Sequence, residues 1–170
     1  MTMDRNDLSA GDSVLAQRDA ESATAVPPLN STWLMDMFVR VESGGPVIGP
    51  RRIAPISGGT FRGPRLRGKV VGPAGEWGVV NSVGAYAIDV RFQLETDDSE
   101  LIHIAYSGYI YPSRQRETAP VPDNRYWRIR PVFDTASSKY EWLNRIVCVG
   151  VKYDVPPELG SFGYHIYEIL

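Results

Sequence analysis

Asp89, Arg91, Gln93, His103 and Ser107 are the residues whose types and spacing could do acid–base chemistry on a small molecule. They sit on two strand-like runs. From Ala85 to Glu95, Tyr86, Ile88, Val90, Phe92 and Leu94 alternate with Ala87, Asp89, Arg91, Gln93 and Glu95, the signature of a strand with unlike faces. Thr96-Asp97-Asp98-Ser99 is turn chemistry, and Leu101 to Ser107 returns as the partner. Matching apolar to apolar predicts Leu94 opposite Ile102, Phe92 opposite Ile104 and Val90 opposite Tyr106. The same register sets Gln93 opposite His103, Arg91 opposite Ala105 and Asp89 opposite Ser107. If that face lines a lumen, Asp89 can act as a general base, Arg91 as a cation for an oxyanion, and His103 as a proton shuttle. If it faces water, it is an ordinary solvated strand face.

A second candidate runs from Ile53 to Trp77. Glycines recur every few residues, Arg51, Arg52, Arg62, Arg65, Arg67 and Lys69 fall in or beside it, and no acid intervenes until Glu76. The stretch reads either as a pair of short strands joined by glycine turns or as the mouth of a ligand pocket. Phe61, Trp77, Tyr126 and Trp142 are candidate walls, with Arg128 and Asn144 as further ligand-binding candidates. Metal and nucleotide motifs are missing. The two histidines, His103 and His165, and the lone cysteine show no metal-ligand spacing, and Asp97-Asp98 reads as a turn, so no metal is expected. Gly58 to Gly63 matches neither the dinucleotide fingerprint nor the P-loop. Tyr126-Trp127-Arg128-Ile129-Arg130 has the aromatic and basic mixture that stacks on single-stranded nucleic acid, but a net charge of −2 gives no basic domain to support it.

The elements that must position these residues are short strands. Leu34 to Val41 reads as the first, Tyr126 to Phe133 as another, and Arg145 to Lys152 and Gly163 to Ile169 as the last. Tyr109 to Pro122 reads as a long surface loop or lid. Ala136 to Asn144 predicts a short helix, with Thr135 as its N-cap. Residues 1–30 are polar, acidic on balance and nearly free of aromatics, and read as a disordered tail before a 31–170 domain. With 170 residues there is room for a single core. No apolar run approaches the roughly 20 residues that span a bilayer. Cys148 lies in an apolar run, which predicts a buried thiol in a reduced, cytoplasmic protein.

Five separated motifs carry a resemblance. Gly49 to Pro64 (G-P-R-R-I-A-P-I-S-G-G-T-F-R-G-P), Gly75 to Trp77, Ile88 to Asp98, Tyr126 to Thr135 and Tyr140 to Arg145 resemble the domain-of-unknown-function family 3237 of bacteria and fungi. The chain departs from that pattern at Trp127, where phenylalanine is common, and at Ser99, where glycine usually ends the Asp-Asp turn. The resemblance implies an all-β fold, a single antiparallel, calycin-like β-barrel with a central cavity and one short helix. It also implies a cofactor-independent enzyme of isomerase, cyclase, hydratase or lyase type acting on a hydrophobic carbonyl or phenolic metabolite of aromatic or secondary metabolism. A non-catalytic small-molecule carrier is the alternative. The expected partner is a small-molecule ligand or substrate, with no nucleic acid and no membrane; whether the chain forms a homo-oligomer is left open. The resemblance also raises Asp89 and Arg91, which sit in one of its motifs, above an ordinary solvated face.

Overall fold

The period-two alternation of the sequence becomes long antiparallel strands in the structure, a computed structural model that describes residues 27–112, 125–156 and 161–170. Eight of the strands close into a barrel. In chain order they are β1 (Ser31–Val41), β4 (Ala54–Arg62), β5 (Arg67–Glu76), β7 (Tyr86–Thr96), β8 (Leu101–Pro112), β9 (Arg125–Asp134), β10 (Cys148–Tyr153) and β11 (Ser161–Ile169). The short strands β2 (Val47–Ile48), β3 (Arg51–Arg52) and β6 (Val79–Val80) extend the sheet beside β7. Around the barrel the order is β7-β5-β4-β1-β11-β10-β9-β8, with β8 paired back to β7 as a hairpin.

The predicted hairpin register is the observed one. Leu94 stands opposite Ile102, Phe92 opposite Ile104, Val90 opposite Tyr106, Gln93 opposite His103, Arg91 opposite Ala105 and Asp89 opposite Ser107. The stretch from Ile53 to Trp77 resolves into β4 and β5 paired antiparallel, as the pair of short strands expected from its glycines. Two expectations need correction. Tyr109 to Pro112 continue β8 rather than opening a loop; the remainder of the expected loop or lid, and the expected tail to residue 26, lie outside the described residues. The expected helix is a single 3₁₀ turn, Glu141–Arg145, with no side-chain cap. Thr135 is engaged elsewhere: its hydroxyl donates to the Leu101 carbonyl at 2.7 Å and accepts the Ser137 amide at 3.2 Å.

Side chains fill one end of the barrel and leave the other open. Met35, Phe61, Phe92, Leu94, Ile102, Ile104 and Ile129 are buried, with Tyr140 and Leu143 of the 3₁₀ segment joining the cluster. Burying a side chain of this size contributes about 1.5–3 kcal/mol, so this layer is the main source of stability. At the same end the Tyr140 hydroxyl donates to Asp98 at 2.8 Å, tying the β7–β8 turn down. Ser99, in that turn, has φ of 65°, the left-handed conformation that glycine adopts more easily. Cys148 is buried as expected, and desolvation, then the nearby Glu168 charge, push its thiol up to about 12. Among the described residues no helix is long and apolar enough to cross a membrane.

A candidate active site in the barrel cavity

Strand alternation decides which residues can reach the lumen, and it turns the charged hairpin face outward. Ile88, Val90, Phe92, Leu94, Ile102, Ile104 and Tyr106 are buried inside. Asp89 and Arg91 therefore lie on the outer wall as an ion pair of 2.9 Å, with side chains 44% and 54% exposed. His103 shares that face through its pairing with Gln93. The register brings these residues together, but the lumenal placement expected for them is not observed. A barrel of this width needs apolar packing inside, and the apolar half of each strand takes that side.

The expected walls are also elsewhere. Phe61 is core. Trp77 is partly exposed beside Gly75, and its carbonyl accepts the Arg51 guanidinium at 2.8 Å. Tyr126 stacks on Tyr111 with ring centres 4.7 Å apart, and the Arg128 guanidinium lies 5.2 Å from the Tyr126 ring. Trp142 carries the Arg65 guanidinium 3.5 Å over its ring. Asn144 clasps Thr135, accepting its amide at 3.0 Å and donating to its carbonyl at 2.9 Å. None of these residues lines the cavity at the open end.

That cavity has a volume of about 740 Å³ and is bounded mainly by β2 to β8, with Arg125, Trp127, Phe162 and Tyr164 completing it. This lies within the usual range for small-molecule sites, roughly 300–1,000 Å³. Ile56, Ile88, Val90, Ile110 and Phe162 give it an apolar wall. Ile53, Ala54, Ile56 and Glu76, from the glycine- and arginine-rich stretch, contribute part of the lining, as does Arg52 at its edge. Glu42, Ser43, Arg52 and Arg125 also line it, and Glu76, Tyr86, Tyr106, Tyr164 and the indole of Trp127 bring polar atoms to it. Sequence reasoning missed these residues.

Each is placed by strand geometry. Glu76 ends β5 opposite Val90, which stands opposite Tyr106, so one row across three strands carries a carboxyl and a phenol inward. The β5–β7 ladder slips between Val71 and Gly75; without the slip Glu76 would stand opposite Ile88. Tyr86 begins β7, and its ring lies over Gly78, where a Cβ would overlap the hydroxyl. Gly78 is thus required by close approach. Tyr164 and Trp127 come from β11 and β9, which flank β10, and the indole Nε1–H donates to the Tyr164 oxygen at 3.1 Å.

Electrostatics couples the group. Burial raises the Glu76 carboxyl above the usual carboxylate range, a hydrogen bond with Tyr86 opposing the shift. Burial, the Glu76 charge and that hydrogen bond raise the Tyr86 phenol, with Arg52 acting against them. The Tyr106 phenol is raised well above normal by burial, then by Tyr164 and Glu76. Burial likewise raises Tyr164, while Trp127 and Tyr106 stabilise its anion. The phenols therefore stay protonated and can donate hydrogen bonds, whereas Glu76 is the carboxyl in the group whose hold on a proton burial strengthens. Among the described residues no group of three or more His, Cys, Asp or Glu side chains is placed to hold a metal ion.

Comparison with known proteins agrees with the fold. The UPF0311 protein of Rhodopseudomonas palustris (strain TIE-1) is 27% identical over 134 residues, which cover 73% of this chain and 88% of that protein. The crystal structure of a β-barrel like protein from Acinetobacter baumannii AYE is 33% identical, with a TM-score of 0.72 over 86% of this chain and 99% of that one. The structure of an enzyme from Penicillium herquei shares the fold at 21% identity, with a TM-score of 0.63 over 87% of this chain and 99% of that one. The pattern of a family described as a protein of unknown function, DUF3237, matches residues 30–169, and the chain belongs to that family.

Proposed function

We propose that the barrel cavity binds a hydrophobic carbonyl or phenolic small molecule and catalyses a cofactor-independent proton-transfer reaction on it, of isomerase, cyclase or lyase type, with Glu76 as the general base and acid. The observation that carries the reading is a carboxyl held above its normal range by burial, open to a 740 Å³ apolar cavity that also holds neutral phenols. A carboxylate of this kind takes a proton from a carbon beside a carbonyl or from a phenolic O–H. The electrons of the broken bond move onto the substrate oxygen, where a phenol donor stabilises them, and Glu76 returns the proton to a second position. Tyr86 is hydrogen-bonded to Glu76 and orients the carboxyl. The step needs no oxidant or reductant, since the proton removed is the proton returned. The Penicillium herquei relative, described as an enzyme, supports reading such a barrel as a reaction vessel.

The test is exchange chemistry. Incubating the protein in D₂O with a panel of aromatic and cyclic ketones and phenols should give enzyme-dependent deuterium incorporation at an acidic position of at least one. Glu76→Gln should lower that rate at least a hundredfold, within the 10²–10⁴ that a positioned base contributes. Saturable binding without exchange for any member would favour the carrier instead, a reading that the largely apolar lining also supports.

A further inference from the structure

The glycine- and arginine-rich stretch brings two adjacent arginines to the cavity mouth, and strand alternation in β3 sends them to opposite sides. Arg51 is engaged away from the cavity, its guanidinium donating to the Trp77 carbonyl at 2.8 Å. Arg52 lines the cavity, and among the described residues its guanidinium makes no hydrogen bond or ion pair. The backbone that carries it is fixed from both sides. The Arg52 amide donates to the Gly78 carbonyl at 2.8 Å, and Arg52 pairs with Val47 of β2. The next amide, Ile53, donates to the Pro46 carbonyl at 3.0 Å, and Gly45 approaches the Ile53 carbonyl so closely that a Cβ would overlap it. The other cation of the lining, Arg125, is already engaged, with its guanidinium 5.7 Å from the Trp127 ring.

We propose that Arg52 receives a carboxylate of the ligand at the cavity mouth, and that the substrate class is a hydrophobic acid whose apolar body lies along Ile56, Ile88 and Ile110. This rests on the cavity being the functional site and adds a charge to the ligand and the end that stays at the rim. A guanidinium offers a planar fork of donors that matches both oxygens of a carboxylate, and here the fork stands on fixed backbone beside an apolar wall. Two carboxyl groups share the lining. Glu42 is exposed at the rim, where solvent and salt screen it, and burial holds Glu76 toward its neutral form, so neither strongly opposes an incoming anion. An ammonium at the same place would meet Arg52 as a like charge. Anchoring one end of the ligand limits its poses, which favours those in which a carbonyl further along meets Glu76.

The test uses two isosteres, 6-acetyl-2-naphthoate and 6-acetyl-2-naphthamide, which have the same shape and differ in one negative charge. Their binding to the full-length protein is measured by titration calorimetry at neutral pH. The acid should bind about tenfold more tightly than the amide. Arg52→Gln, a change at an exposed side chain that leaves the backbone hydrogen bonds in place, should weaken the acid to the level of the amide and leave the amide unchanged. Arg51→Gln removes the same charge one residue away and should keep the preference for the acid, which separates direct contact from the general field. Equal binding of acid and amide to the wild-type protein overturns the role of Arg52 while the cavity reading survives. A preference that persists in Arg52→Gln, or that is lost equally in Arg51→Gln, overturns it too. If neither compound binds the wild-type protein, the cavity reading fails and this inference fails with it.

Discussion

Replacing Tyr164 with phenylalanine deletes one oxygen, and the structure says what that oxygen was holding. The Trp127 indole N–H, on a residue 4% exposed, loses its acceptor at 3.1 Å and cannot turn, since its ring is packed against Phe162 with centres 4.7 Å apart. A buried donor left unpaired costs about 1–3 kcal/mol. The Tyr106 hydroxyl also loses a partner, but it lines the cavity and can rotate toward water there, which limits its share to about 0.5–1 kcal/mol. The expected total is about 1.5–4 kcal/mol. Trp127→Phe destabilises for a different reason, lost volume, and leaves Tyr164 with one donor fewer. In the double variant no indole N–H is left to orphan, so the two changes together should cost about 1–2 kcal/mol less than their sum. Urea unfolding of the wild type, both single variants and the double variant gives this coupling from the midpoints, provided the slopes agree. Strict additivity would refute the hydrogen bond as an energetic unit.

Three further outcomes are expected. Glu76 has a folded-state pKa raised by burial, so between the ordinary carboxylate pKa and that raised value the native chain holds more protons than the unfolded one and stability falls as pH rises; Glu76→Gln should flatten this decline in melting temperature measured across that window. Ser99→Gly should stabilise by about 0.5–1 kcal/mol, because a serine at φ 65° bears a cost that glycine avoids, partly offset by the looser unfolded chain; an unchanged or lower melting temperature would show that the turn is unstrained. Asp89→Asn, on the outer wall, should change stability by less than about 1 kcal/mol and leave deuterium exchange intact, since exposed ion pairs contribute little; loss of exchange would return the site to that face.

The hairpin was legible because its alternation is strict: registers that keep apolar residues opposite one another differ by steps of two, and the short turn at Thr96–Ser99 selects the tightest of them, the one observed. Which face looks inward was open in the same pattern. Assigning the charged face to the lumen followed the chemistry rather than the packing, and in a narrow barrel packing decides. The actual site was concealed by two features. Tyr86 and Tyr106 counted as apolar members of the alternation, although each carries a polar tip; a phenol on an apolar stripe was the available signal. Glu76 follows Gly72, Pro73 and Gly75, where the ladder slips by an amount no local pattern encodes. Tyr164 and Trp127, 37 residues apart in the chain, meet only once β9 and β11 pair on either side of β10. Asn144 was foreseen as a side chain able to satisfy loose backbone groups, and it does so for Thr135, away from the cavity.

The pairing of β1 with β11 has a kinetic consequence. Asp36 and His165, which meet across it, are separated by 129 positions, so the seam that closes the barrel joins its first strand to its last. During synthesis β1 can pair with β4, but its other edge has no partner until β11 has left the ribosome. Loop closure over that span slows folding, as it does in other proteins dominated by long-range contacts. Until the seam forms, the nascent chain presents an apolar open edge, the kind of surface at which neighbouring chains add strands to one another. Yield at high expression rates should therefore be governed by how quickly this one seam closes.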